Sequence, residues 1–278
     1  MRERNVSVDG VRLHVREAGE GPALVMLHGL AASGVNWDAT AAAFADRWRV
    51  IVPDLPGHGR SSKPDAPYTL DFYAGVIRSL GRLLGVDEAI VLGNSLGGLI
   101  ALELAVGYPS WTRGLVLAAP ATGWPAGMAF LGRALCAAIR PGMLRTFLPV
   151  FHDRSFHDPS LAASLERRKL LEERLADDDF PGFARAVGRS LEAVLTHGRP
   201  SLADVRQPAL FVWGREDRLV PVARSARLLR EVPHARLAVL ERCGHVPMVE
   251  QAEAFNRAVG EFLPCVDAAP RRRAGGEG

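Results

Sequence analysis

The chain has 278 residues, a length that suits one large domain with an insertion or two small domains, and its 48% hydrophobic content is enough for a large core. Its formal net charge of +3 could come entirely from the three arginines at 271–273, so the composition does not indicate a nucleic-acid-binding surface. The few cysteines lack metal-site spacing, the N-terminus lacks an apolar signal core, and no apolar run is long enough to span a bilayer. We therefore expect a cytoplasmic protein with reduced thiols and no membrane partner.

The first predicted elements are two edge strands. Residues 5–8 and 11–15 alternate in polarity around Asp9-Gly10, a dipeptide typical of a hairpin turn, so they should pair in antiparallel fashion. From residue 23 onward the strand-like runs are continuously apolar, as parallel strands covered on both faces are. We place these strands near residues 23–28, 49–53, 88–93, 114–119, 208–213 and 236–241.

Helices are predicted between the strands and in one long insertion. Helical periodicity is clearest over residues 68–84, and the alternation of strand and helix predicts helices on both faces of the sheet. The alternation stops between about residues 121 and 200, where no strand-like run is found. There, Asp158 and Pro159 resemble a helix N-cap and first residue that open a helix over 161–176, and a second helix is predicted over 183–196.

These patterns divide the chain into a core, an insertion and a tail. The core comprises residues 1–120 and 201–264, the mostly helical insertion 121–200, and a disordered tail 265–278. About a third of the insertion's large apolar side chains are expected to face a substrate, and the rest to hold the insertion together and onto the core. These side chains are Trp124, Met128, Phe130, Leu131, Met143, Phe147, Phe151, Phe156, Phe180 and Phe183.

A serine between a buried strand and a helix is the strongest sign of chemistry in the chain. Gly93-Asn94-Ser95-Leu96-Gly97 follows the apolar run 89–92 and precedes the helical run 98–105. The glycines on either side of Ser95 let the strand and helix close together, and so tight a turn strains the serine backbone and exposes its hydroxyl. A purely structural turn is the alternative interpretation.

A serine hydroxyl needs a base, and the base needs an acid that orients it. Asp217 lies in the loop after the predicted strand 208–213, and His245 lies in the loop after the last strand. Sheet-built active sites collect side chains from such loops. Glu216 is a rival for the acid, and we favour Asp217.

Five segments together resemble the α/β-hydrolase superfamily, and the resemblance runs from about Val6 to Leu263. The order Ser95, Asp217, His245 is the family's order, unlike that of chymotrypsin or subtilisin. The chain resembles the branch that includes serine esterases and the carbon–carbon hydrolases of meta-cleavage products. The matching segments outside the serine turn are 24–30, 52–62, 214–217, 244–245 and 255–263.

The resemblance implies a fold and a mechanism. The fold is an α/β-hydrolase fold, with a mostly parallel, doubly wound sheet of about eight strands and an inserted helical cap. Ser95 is the expected nucleophile, His245 the base and Asp217 the orienting acid. The backbone N–H groups of Leu30 and Leu96 are the expected oxyanion hole.

The other histidines and the arginines of the insertion have simpler expected roles. His28 should shape the oxyanion loop and His58 should brace its own loop, while His14, His197 and His234 are expected at the surface. His152-Asp153 and His157-Asp158 lack the spacing of metal ligands on a helix face, so no metal is expected. Arg185 and Arg189 are interpreted as a solvated helix face, with a clasp for a substrate carboxylate as the alternative.

The expected reaction is hydrolysis of a carboxylic ester of a small, largely apolar molecule through an acyl-enzyme. No nucleotide fingerprint is present, so no cofactor is expected. One alternative is hydrolysis of a carbon–carbon bond in a vinylogous β-diketone. Asn94 favours this alternative, whereas Val246 stands where those enzymes commonly carry tryptophan. Acyl transfer, perhydrolysis and noncatalytic small-molecule binding are further alternatives.

Overall fold

The computed structural model describes residues 1–122, 141–176, 178–196 and 201–269, and the structural statements below concern those residues. The strands in the described residues all belong to one sheet. They are β1 (Arg2–Val8), β2 (Val11–Ala18), β3 (Ala23–Leu27), β4 (Arg49–Pro53), β5 (Ala89–Asn94), β6 (Thr112–Ala118), β7 (Ala209–Gly214) and β8 (Arg236–Leu240).

The strand order is β1-β2-β4-β3-β5-β6-β7-β8. The first strand pairs antiparallel with the second and the second with β4, and the remaining neighbours are parallel. The turn between the first two strands has positive φ at Asp9 (48°) and Gly10 (79°), as a two-residue hairpin requires. The predicted mostly parallel sheet of about eight strands is confirmed, as are the six apolar strands, whose ends differ from the predicted ones by at most two residues.

Ten α-helices lie in the described residues, and those outside the segment 141–196 cover both faces of the sheet. Along β3, Leu24 and Met26 pack with the helices on one face, whereas Val25 and Leu27 pack with those on the other. The helices are α1 (Asp38–Phe44), α2 (Leu70–Leu83), α3 (Leu96–Gly107), α4 (Pro141–Arg154), α5 (Pro159–Ala162), α6 (Leu165–Leu175), α7 (Phe180–Thr196), α8 (Ser225–Glu231), α9 (Pro247–Glu250) and α10 (Ala252–Asp267).

Helices α4–α7 follow one another between β6 and β7, and we call them the helical insertion. The carboxylate of Asp158 accepts a hydrogen bond from the Ser160 N–H at 2.8 Å, as predicted for an N-cap. The prediction of a single helix over 161–176 is wrong. This segment contains two helices, α5 and α6, because the Ser164 hydroxyl caps a new helix by accepting a hydrogen bond from the Arg167 N–H.

Several predictions for the insertion lie outside the described residues, namely those for Trp124, Met128, Phe130 and Leu131. Within the described part, α4 and α7 pack on each other and on Ala31 of the core, and Phe156 packs among core side chains that include Met248. These contacts fix the insertion above the carboxyl ends of the central strands. Among the described residues, no helix is both long and apolar enough to cross a membrane.

The C-terminal helix differs from the prediction. Helix α10 continues to Asp267, three residues into the segment that was expected to be a disordered tail. Its buried face, which includes Phe255, Val259 and Val266, packs against the sheet and explains why the helix continues. The arginines at 271–273 lie outside the described residues.

Candidate active site

Ser95 lies at the junction of β5 and α3 in a strained backbone conformation. Its φ is 53° and its ψ is −111°, outside the regions that residues with a side chain normally adopt. Such a conformation costs about 1–3 kcal/mol and persists only where the surroundings enforce it. Here the Ser95 N–H donates to the carbonyl of Ala118 at 3.0 Å, which fixes the turn to the end of β6.

Two glycines make this turn possible. A Cβ at Gly93 would lie 2.2 Å from the carbonyl oxygen of Gly97, and a Cβ at Gly97 would lie 2.2 Å from that of Leu27. Both contacts are with backbone, which cannot move aside. The sequence pattern therefore reflects a close approach of strand and helix that no larger residue permits.

Asp217 and His245 meet through their side chains. His245 Nδ1 lies 2.8 Å from Asp217 Oδ2, and both residues are buried. The other carboxylate oxygen, Oδ1, accepts the N–H groups of Leu219 and Val220, each at 2.8 Å. With Nδ1–H donated to the carboxylate, the neutral imidazole presents Nε2 as its basic atom.

Glu216, the rival acid, has a different partner. Its Oε2 accepts the Cys243 N–H at 2.9 Å, so its carboxylate holds the loop before His245 and does not contact the imidazole. Burial raises the pKa of the Cys243 thiol, so this cysteine is a neutral packing residue.

Asn94 connects the serine turn to the histidine loop. Its Nδ2 donates to the His245 carbonyl at 3.0 Å and to the Ala118 carbonyl at 3.1 Å. The His245 N–H donates to the carbonyl of Ser155, in the turn after α4, at 2.8 Å. The backbone of His245 is thus held from two sides, by the core and by the helical insertion.

The N–H groups predicted to bind an oxyanion belong to Leu96 and Leu30. Leu96 is the first residue of α3, and an N–H in the first turn of a helix has no partner within that helix. Leu30 follows His28-Gly29 and lines the same cavity as Ser95.

His28 braces the loop that carries Leu30, as predicted. Its Nε2 accepts the Leu55 N–H at 2.9 Å, so its Nδ1 carries the proton and donates to the Gly29 carbonyl at 2.8 Å. Burial lowers the pKa of His28 to about 4, although the nearby Asp54 carboxylate opposes this shift. The imidazole is therefore a neutral brace at physiological pH.

Ser95 and His245 line one cavity beneath the insertion. Two arginines of α6, Arg167 and Arg174, also line it. The Arg167 guanidinium donates to Asn36 Oδ1 at 3.1 Å. Desolvation lowers the pKa of Arg174 to about 10.

Arg174 lacks a close anionic partner among the described residues. Its guanidinium forms no ion pair within 4.0 Å there, and the more distant charge of Asp54 offsets its desolvation only in part. Sequence reasoning missed both arginines, because an arginine on a highly charged helix is normally a solvated residue.

An apolar cavity of about 260 Å³ adjoins the first. The two cavities share Leu30, Ala31, Leu148 and Phe151, and the second is otherwise lined by aliphatic and aromatic side chains of α4 and α7. Of the ten large apolar side chains of the insertion, about a third of which were expected to face a substrate, Met143, Phe147 and Phe151 line this cavity. The site therefore has a polar side near Arg174 and an apolar side near α4.

Two interpretations of the sequence are corrected. His14 is not a surface residue: it is 7% exposed, because β2 packs beneath Ser61 and its loop. Arg185 and Arg189, interpreted as a solvated helix face, are partly exposed but have specific partners. Both lie within 4.0 Å of Asp65, and Arg189 also donates to the Ala66 carbonyl at 2.6 Å, so they attach α7 to the core. Neither lines the cavity of Ser95.

The remaining histidines take ordinary roles. His58 Nδ1 lies 3.0 Å from the Pro56 carbonyl, which braces its loop as predicted, and His234 is exposed. His197 lies outside the described residues. His152 Nε2 lies 3.3 Å from the Ala162 carbonyl, and the described chain holds no cluster of three or more potential metal ligands.

Comparisons with known proteins agree on the fold family of this chain. A model of the alpha/beta hydrolase fold family matches residues 22–252. A 2-hydroxy-6-oxononadienedioate/2-hydroxy-6-oxononatrienedioate hydrolase from Burkholderia vietnamiensis is 32% identical over 271 residues, which cover 93% of this chain and 94% of that protein. A solved variant of a meta-cleavage product hydrolase from Pseudomonas fluorescens IP01 superposes with a TM-score of 0.78 at 26% identity, covering 94% of this chain and 97% of that one. Est816, an N-acyl homoserine lactone degrading enzyme, superposes with a TM-score of 0.77 at 29% identity, covering 93% and 100%.

Proposed function

The chain belongs to the alpha/beta hydrolase family, and on that premise we propose that it is a serine hydrolase with Ser95 as nucleophile, His245 as general base and Asp217 as the acid that orients the base. The observation that carries this proposal is the 2.8 Å contact of His245 with Asp217 beside a cavity that Ser95 also lines. The N–H groups of Leu30 and Leu96 stabilise the oxyanion.

The reaction we favour is hydrolysis of a carbon–carbon bond in a vinylogous β-diketone that carries a carboxylate. The relative from Burkholderia vietnamiensis is named for dicarboxylate substrates of this kind. Arg174 supports the same choice, because its desolvated guanidinium gains a partner when a carboxylate enters the cavity. A neutral ester offers it no charged partner.

The chemistry follows from the arrangement of these groups. Ser95 adds to the carbonyl carbon while His245 accepts the hydroxyl proton, and the oxyanion forms between the two N–H groups. The intermediate then breaks its carbon–carbon bond: the electron pair passes into the conjugated, carboxylate-bearing fragment, and that fragment takes up the proton from His245 as it leaves. Water then adds to the acyl-enzyme with His245 again as base and releases the acyl group. One water and one diketone thus give one new carboxylic acid and one shortened keto acid.

Ester hydrolysis is the second candidate, and specific features favour it. Val246 replaces the tryptophan expected after the histidine of a meta-cleavage hydrolase, and an almost wholly apolar cavity adjoins the site. The similarity to a lactone-degrading enzyme also points this way. Both candidates use the same three side chains.

The Ser95→Ala variant tests the shared mechanism. Loss of the nucleophile should lower kcat by about a million-fold, and a fluorophosphonate probe should label the wild-type chain but not the variant. Circular dichroism of the variant should match the wild type. Hydrolysis that persists in a folded Ser95→Ala chain would refute the mechanism.

A substrate panel and Arg174→Gln separate the two reactions. The panel compares a coloured 2-hydroxy-6-oxo-dienoate with p-nitrophenyl esters of increasing chain length. Loss of a charged hydrogen-bond partner costs about 1.5–3 kcal/mol, so Arg174→Gln should lower kcat/KM for the dienoate by about 10- to 100-fold. Its effect on a neutral ester should be small.

Arg168→Gln is the matched control, because Arg168 lies on the same helix, is exposed and does not line the cavity. This variant should hydrolyse both substrates like the wild type. If the wild-type chain prefers the esters, or if Arg174→Gln affects both substrates equally, the carbon–carbon assignment is wrong.

A further inference from the structure

We propose that Glu250 is a positioning residue for His245, and that its carboxylate holds the histidine loop and the helical insertion together. The turn Ser155–Asp158 between α4 and α5 contacts the loop at Gly244 and His245, and Glu250 joins the two segments. This inference rests on the proposed role of His245 as the base.

The hydrogen bonds of Glu250 carry the argument. Its Oε1 accepts the Gly244 N–H at 2.8 Å, and its Oε2 accepts the His157 N–H at 2.7 Å and the Asp158 N–H at 3.4 Å. One oxygen therefore holds the residue that immediately precedes His245, and the other holds the insertion. A carboxylate that accepts from backbone N–H groups makes strong hydrogen bonds, because the acceptor is charged.

The two segments touch so closely that their relative position is fixed. A Cβ at Gly244 would lie 2.7 Å from the backbone nitrogen of His157 and 2.8 Å from the carbonyl oxygen of Ser155. The His245 N–H donates to that same carbonyl at 2.8 Å. A shift of the turn Ser155–Asp158 therefore moves the backbone of His245 directly.

The environment of Glu250 explains why a carboxylate is required. Among the described residues no lysine or arginine forms an ion pair with it, so the backbone dipoles balance its charge. Burial raises the pKa of Glu250, while the N–H groups of His157 and Gly244 act in the opposite direction. A glutamine would place an NH₂ group against one of these N–H donors, and that bond would be lost.

Catalysis by His245 depends on the orientation of its imidazole. The imidazole must keep Nδ1 on Asp217 while Nε2 faces Ser95, and a misplacement of about 1 Å can cost about 100-fold in rate. The hydrogen bonds of Glu250 described above go to backbone N–H groups, and none reaches Ser95 or the His245 imidazole. Its loss should therefore lower kcat and leave substrate binding largely intact. The structure also predicts that the insertion and the base move together.

The test compares Glu250→Gln and Glu250→Asp with Glu253→Gln, an exposed control at the start of α10. The readouts are the second-order rate of fluorophosphonate labelling, and kcat and KM with the best substrate of the panel. Glu250→Gln should lower labelling and kcat by about 10- to 100-fold with KM changed by less than about threefold. Glu250→Asp keeps the charge, so its labelling rate and kcat should lie between those of the wild type and Glu250→Gln. The Glu253→Gln control should match the wild type.

A second measurement separates positioning from folding and from the proposed function. The proton NMR signal of the imidazole Nδ1–H, far downfield because it donates to Asp217, should broaden or shift in Glu250→Gln. A variant with the wild-type signal, labelling rate and kcat would overturn the proposal, as would a change in KM alone. If the wild type does not react with the probe, the proposed function fails, and the NMR comparison still decides the role of Glu250.

Discussion

Two buried imidazoles should make the folded chain sensitive to acid. Burial lowers the pKa of His28 to about 4 and that of His58 to about 3, from 6.5. In the unfolded chain both imidazoles are solvated and keep the higher value. Between about pH 6.5 and pH 4 the unfolded state therefore binds protons that the folded state does not, and the free energy of unfolding falls as the pH falls.

The size of this effect follows from the two pKa values. One pKa unit corresponds to about 1.36 kcal/mol, so at about pH 5, some 1.5 units below the unfolded pKa, each buried histidine lowers the free energy of unfolding by about 2 kcal/mol. At about pH 5 the two histidines together should therefore lower the free energy of unfolding by about 4 kcal/mol relative to about pH 7.5, which is a large part of a typical folding free energy.

The variant His58→Phe isolates one of the two groups. The His58 side chain packs against Tyr73 and Phe183, and its Nε2 is buried without a hydrogen-bond partner, so a phenyl ring fills the same space without titrating. Guanidinium unfolding at about pH 7.5 and about pH 5 gives the stability difference for each chain, and the variant should lose about 2 kcal/mol less than the wild type. The exposed His234→Gln serves as the control and should lose as much as the wild type. If His58→Phe loses as much as the wild type does, the buried imidazoles are not the source of the acid sensitivity.

Further predictions concern the acid and the helix glycines. Asp217→Asn should keep the fold but lower kcat by about 10⁴-fold, because an amide does not fix the imidazole tautomer; a loss below about tenfold in steady-state kinetics would contradict the role of this residue. Within α2, Gly75→Ala should raise the free energy of unfolding by about 0.5–1 kcal/mol, because nothing lies within 4 Å of the new Cβ. Gly81→Ala should lower it by about 1–3 kcal/mol, because its Cβ would lie 2.9 Å from the Trp111 ring; denaturant unfolding checks the opposite signs.

The fold was predictable because its signals are local and strong. The parallel strands are continuous apolar runs, since both faces of the sheet are covered, and the turn at Asp9-Gly10 has the residues that positive φ demands. The serine turn was equally readable, because the glycines around Ser95 are required by backbone contacts of 2.2 Å. These features depend on residues adjacent in the sequence.

What the sequence did not reveal depends on tertiary contacts. Arg174 lies in a highly charged stretch whose composition is typical of a solvated helix. It becomes a desolvated cation only because α6 packs over the cavity. Arg185 and Arg189 resembled a solvated face because nothing local indicates that Asp65, more than a hundred residues earlier, lies beside them. The break between α5 and α6 was missed for a smaller reason: Ser164 caps a helix inside a run that is otherwise helical in composition.

The arrangement of the site separates two kinds of evolutionary change. Ser95, Asp217 and His245 follow strands of the sheet, whereas Arg167 and Arg174 belong to α6 of the insertion. Under the proposed mechanism, exchange of side chains on α4 and α6 can therefore change the substrate while the three catalytic side chains stay the same. The turn Ser155–Asp158 is the exception, since it bears on the histidine loop, and drift there should be the least tolerated in the whole insertion.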